Sequence, residues 1–168
     1  MALSSVVKNF RDGTLVIEDG TAITPLNLTV QYESGDFSVT GLNQAGGTSY
    51  ETTQYLDRGE MGTARKTNRA FPTGSFTAQL TELADGTNET LPDILLKQGS
   101  FSAAVSTLGA NADVYAVKLS LQIEGTDHGD PSDHSITLDD CVCSLDIAEG
   151  DPDTFSISFQ CLGAVTMT

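Results

Sequence analysis

The chain has 168 residues, of which eight are basic and 23 acidic, giving a formal charge of −15. That length fits one domain, residues 1–168, burying roughly 70% of its unfolded surface without disulfide staples. So acidic a surface repels polyanions and argues against nucleic-acid binding over the whole molecule. No apolar run reads as a secretory leader or a membrane span.

Taken in chain order, the dominant pattern is period two. A short run at residues 15–18 precedes Asp19-Gly20, a hairpin signal. Leu26, Leu28, Val30 and Tyr32 then alternate with Asn27, Thr29, Gln31 and Glu33. Gly35-Asp36 separates that strand from Phe37 and Val39. Residues 41–50 are rich in Gly, Asn and Thr and carry no pattern. Residues 59–72 also lack periodicity, which predicts a long loop between strands. Phe76, Ala78 and Leu80 restore the alternation. Thr90-Leu91-Pro92-Asp93 predicts a helix start, with Thr90 as N-cap, Asp93 reaching back and Gly99 as the stop. Residues 101–108 fit a strand or a helical turn equally well.

Tyr115, Val117, Leu119, Leu121 and Ile123 form the apolar face of a further strand. Between 136 and 147 the alternation changes phase, from even positions (Ile136, Leu138) to odd ones (Cys141, Cys143, Leu145, Ile147). One extra residue at Asp139-Asp140 accounts for the change, which predicts a β-bulge. Phe155, Ile157, Phe159 and Cys161 define the last strand. Cys141, Cys143 and Cys161 all fall on apolar positions and read as small core residues, not as a disulfide framework. The fold class expected is mainly β: an antiparallel β-sandwich or half-barrel with one short flanking helix and a long inter-strand loop.

Charge is unevenly placed along this chain. From Arg58 to Arg69 there are four cations, Arg58, Arg65, Lys66 and Arg69, and one acid, Glu60. This segment carries +3 against −18 for the remainder. A cationic stretch on an acidic protein suits another copy of the same protein, because complementary charge sets encounter and orientation.

Little in the sequence supports chemistry. The cluster Asp127, His128, Asp130, Asp133 and His134 has neither zinc nor calcium-loop spacing and reads as a polar turn. Glu149, Asp151 and Asp153 form a similar acidic turn. No nucleophile elbow, phosphate loop or dinucleotide fingerprint is present. Asn27 and Asn88 head glycosylation sequons, read as chance matches without a secretory leader. No enzyme activity, cofactor or metal is expected.

Three segments together resemble the tail tube proteins of long-tailed bacteriophages. They are VVKNFRDGTLVIEDGT, TQYLDRGEMGTARKTNRAFPTGSFTAQL and LSLQIEGTDHGDPSDHSITLDDCVCSLDIAEGDPDTFSISFQCLGAVT. The resemblance is one of layout and spans nearly the whole chain. It implies a structural subunit of the virion tail, assembled in the host cytoplasm. Six copies would form a ring, and rings would stack into a hollow tube that genome DNA traverses without specific binding. Partners would be the chain itself and other tail proteins, such as the tape measure, terminator and distal tail proteins. Tube proteins of secretion systems and tail-like particles share this layout. Under this reading Arg58, Arg65, Lys66 and Arg69 contact neighbouring subunits or rings. Glu33, Glu82 and Glu124 are candidate lining residues of an acidic channel. A monomeric metal- or carbohydrate-binding β-sandwich is the competing expectation.

Overall fold

A computed structural model describes residues 13–30, 36–43, 49–81, 83, 89–123, 133–150 and 153–168. Ten strands are present among the described residues: β1 (Thr14–Glu18), β2 (Asn27–Val30), β3 (Ser38–Thr40), β4 (Ser49–Asp57), β5 (Glu60–Ala70), β6 (Thr73–Gln79), β7 (Val117–Ile123), β8 (His134–Ala148), β9 (Thr154–Cys161) and β10 (Val165–Met167). One helix, α1 (Leu91–Leu96), leads into a 3-10 turn at Gly99–Phe101. Eight strands make an antiparallel sheet in the order β2-β1-β7-β8-β9-β6-β3, with β10 also on β8. Among the described residues, strands β4 and β5 pair only with each other.

Alternation translates directly into burial. Leu15 and Ile17 of β1, Leu119 and Leu121 of β7, Phe76 and Ala78 of β6, and Phe155, Ile157 and Phe159 of β9 all lie in one core. Ile94 of α1 and Phe101 belong to the same core. One face of the sheet lies on that core, and α1 adds Leu91, Ile94 and Leu95 to it. Phe37, Phe76 and Phe159 cluster with ring centroids 5.9–6.5 Å apart. Gly74 makes their packing possible. A Cβ there would collide with the Phe159 ring and the Ser38 carbonyl.

The bulge expected at Asp139-Asp140 is present. Leu119 pairs with Leu138 and Val117 with Cys141, so β8 spends one residue more than β7 between the two pairs. Asp140 takes the left-handed conformation, with φ of 55°. At this corner β8 changes company. Its first half lies between β7 and β10, whereas its second half, from Cys141 to Ala148, pairs with β9. One 15-residue strand thus belongs to two sheet regions, as strands at sandwich corners do.

Three other expectations need adjustment. β1 and β2 do pair, but through the longer 19–26 connection and not a two-residue turn at Asp19-Gly20. Helix α1 has its N-cap at Thr90, whose hydroxyl accepts from the Asp93 N–H and donates to the Asp93 carboxylate. The helix stops at Lys97, in the left-handed conformation, before Gly99 is reached. Residues 101–108 contain no strand. Cys141 and Cys161 are buried opposite each other on β8 and β9, and Cys143 is partly buried, so the core reading of the cysteines holds.

The segment expected as an irregular loop is instead β5, one half of a long hairpin. Its pattern is hidden because neither side is buried: every residue from Glu60 to Arg69 is exposed. Alternation arises where one face must be apolar, and this strand has no such face.

Candidate functional site

Two features stand out from the compact core: the β4–β5 arm, and the outer face of the β8-β9-β6-β3 region. The arm turns at Arg58-Gly59, where both residues have positive φ (51° and 88°) and Asp57 pairs with Glu60. Positive φ at both central positions is the type I′ geometry that matches strand twist in two-residue hairpins. Two register shifts follow, each with the extra residue on β5. One lies between the Tyr55 and Leu56 pairs, where Gly62 is the additional residue, and the other between the Tyr50 and Thr52 pairs. Such bulges twist an edge and further obscure any sequence period.

Among the described residues the arm is pinned at its base. The Ser49 hydroxyl donates to the Gly41 carbonyl at 2.7 Å. The Asn43 side chain both donates to and accepts from the Tyr50 backbone at 3.2 Å, imitating a strand partner. Arg69 donates to the Gly163 carbonyl at 2.9 Å and lies over the Phe71 ring. Lys66 sits 4.8 Å above the Tyr50 ring. Of the four cations singled out from sequence, Arg69 therefore braces the arm against its own chain, and Lys66 caps an aromatic on the arm. Arg65 pairs across from Thr53 in the shaft and Arg58 occupies the tip. The tip also carries Leu56 opposite Met61, 63% and 68% exposed, which charge counting had missed.

The outer sheet face is a ladder of small polar side chains. Ser38, Ser75, Ser158 and Ser144 stand in register across β3, β6, β9 and β8. The adjacent row is Thr40, Thr73, Gln160 and Val142, and the row on the other side runs Thr77, Ser156, Asp146. The Ser38 and Ser75 hydroxyls lie 3.3 Å apart, as do those of Thr40 and Thr73. A groove along this face is lined without a single charged side chain. Among the described residues both flanks end in strand edges: β3 pairs only with β6, and no strand pairs with β8 on its second side beyond Cys141. An edge with unpaired N–H and C=O groups is a template for another strand.

Glu33, Glu82 and Glu124 lie outside the described residues, as do most of the 127–134 turn and residues 151–152 of the acidic one. Among the described residues no group of three or more His, Cys, Asp or Glu is placed to hold a metal.

The buried Asp19 carboxylate organises the end of the molecule near the start of β7. Asp19 is 3% exposed and accepts from the N–H groups of Thr21, Leu26 and Val105 and from the Thr21 hydroxyl. Burial pushes its carboxyl up, but these hydrogen bonds pull it down further, leaving it below the ordinary carboxylate value.

No protein-family profile and no curated protein sequence matches the chain. Solved structures do. The tube-terminating cap of the anti-feeding prophage superposes with a TM-score of 0.55 at 12% identity, covering 100% of this chain and 94% of the other. The sheath/tube terminator of an extracellular contractile injection system, in its extended state, gives 0.56 at 14% identity and covers 99% of both chains. A component of the sheath–tube complex from the same kind of particle gives 0.51 at 13%, covering 92% and 87%. At such identities the likeness is one of fold, and by its fold this chain is built like the tube-associated proteins of tail-like injection particles.

Proposed function

We propose that the chain is a structural, non-enzymatic subunit that closes into rings of six and stacks into a hollow tube for genome DNA. The observation carrying this reading is the polar β8-β9-β6-β3 face with an open strand edge on either side. Pairing the β3 edge of one copy with the β8 edge of the next removes both edges, and a rotation that closes makes a barrel-walled ring. The hydroxyl ladder then faces the channel. Along its described rows this wall carries one charge, Asp146, while the acidic lining candidates Glu33, Glu82 and Glu124 lie outside the described residues. Neutral hydroxyls hold no phosphate by ion pairing, so a polyanion passes without being retained. The arm reaches a neighbouring subunit or ring, with Arg58, Arg65 and Lys66 meeting acidic surface.

Electron microscopy of purified protein tests this reading. Wild-type protein assembles into tubes, and the Arg65→Glu/Lys66→Glu double variant stays folded but forms none. Normal tubes from that variant sink the role assigned to the arm. A second reading has the chain end the tube as a terminator. The match over 99% of both chains to a sheath/tube terminator supports it. Rings that do not stack, seen for pure wild-type protein, decide in its favour.

A further inference from the structure

The connection between β1 and β2 combines three properties that ordinary surface loops do not share. Its apex, Ile23, is 99% exposed and has φ of 77°. A β-branched side chain in the left-handed region is a true outlier, costly by sterics and gaining nothing from burial within its own chain. The loop is also rigidly held. Asp19 grips it at Thr21 and Leu26 and ties it to Val105, and the Gly20 N–H donates to the Val105 carbonyl at 2.7 Å. Gly20 is pressed so close to Ser106 that a Cβ would collide with that backbone. A strained conformation persists only where the surroundings over-determine it, and such outliers point to function.

The third property is charge. Residues 20–27 contain no charged side chain, and residues 99–116, to which the loop is stitched, contain one, Asp113. The whole chain carries 31 charged residues in 168, so these two segments are depleted several-fold, with the buried Asp19 and Lys97 (over the Tyr115 ring) adjoining them. It also exposes Leu108 and Val114, at 43% and 45%. Charge depletion around exposed apolar side chains is the composition of an interface centre.

We propose that the 21–25 loop is a preformed contact that inserts Ile23 into an uncharged surface of a second copy of this chain. The occupant follows from charge. A basic partner gains more from the acidic remainder of the surface than from this charge-poor end. Two chains of −15 each, in contrast, meet most easily where acids are sparse, and Asp113 is the one exposed acid of these two segments. The inference rests on the self-assembly reading and adds a contact separate from the arm.

The test uses the full chain, with sedimentation velocity for association and dilute thermal melting for the fold. Ile23→Gly removes the anchor and relieves the backbone, so melting is unchanged or up to about 3 °C higher. Association weakens by about tenfold or more. Ile23→Asn, which tolerates the left-handed conformation without Gly's flexibility, weakens association alike. Association unchanged in both variants overturns the proposal. So does a melting temperature lowered by several degrees in both, because Ile23 would then serve its own fold. Wild-type protein that stays monomeric at every concentration defeats this contact and the self-assembly reading together. Loss of association in the Ile23 variants, with Arg65→Glu/Lys66→Glu still associating, keeps this contact and removes the arm's role. The reverse pattern removes this contact and keeps the arm.

Discussion

Strands β8 and β9 pair across eight residues, and β4 and β5 across a similar length, yet the two pairs are held by different physics. The first turns Phe155, Ile157 and Phe159 into a common core. The second has exposed side chains on both faces for nearly its whole length. A two-stranded ribbon alone in water is marginal, so the arm is held by its ladder, its I′ turn and its pinned base. The contrast teaches that strand geometry here serves two ends. In one region it makes a fold, and in the other it presents a surface.

Substitutions can break this contrast, beginning with the largest effect. Phe155→Ala empties a fully buried site and lowers stability by about 4 kcal/mol, visible in a denaturant melt. Next, Asp19→Asn leaves N–H donors in a buried loop facing an amide in place of a carboxylate. It costs about 3 kcal/mol. Its pH signature separates it from a packing defect. The folded Asp19 carboxyl lies below its ordinary value of 3.8, so its stabilisation is complete above that value and is lost as pH falls through the folded one. Wild-type and Asp19→Asn melting curves should therefore converge in acid, and a constant gap from pH 7 to pH 2 contradicts this account. At the small end, Leu56→Ser/Met61→Ser changes the monomer by no more than about 0.5 kcal/mol, because both side chains are exposed. The same variant should still lose assembly on micrographs. A large stability loss would show that the arm packs on its own chain.

The same contrast explains what could be read from sequence. Where a strand has one dry face, alternation announced it for β6, β7 and β9, β1 was legible only as a short run before a turn signal, and the phase change at Asp139-Asp140 revealed the bulge. The α1 cap was legible because Thr90 and Asp93 interact locally. The arm was not, since no burial imposes a period on β5 and two bulges disturb its phase. Its Arg-Gly turn and the run of Thr, Gln and Tyr before it were the available signals. Its charge was legible, its apolar tip was not. The serine ladder was hidden for another reason: Ser38, Ser75, Ser144 and Ser158 lie on four strands, and only the register aligns them. Ile23 gave no signal, because a left-handed isoleucine is a product of tertiary bracing.

The corner in β8 has a mechanical consequence. Because one covalent strand runs through both sheet regions, loss of one ladder frays the strand on which the other is built, and the two are coupled. In the proposed tube, force applied to the wall would travel along the continuous β8 backbone into the β2-β1-β7 region. Amide exchange on the two sides of Asp140 should therefore report one shared opening energy, as in a single foldon.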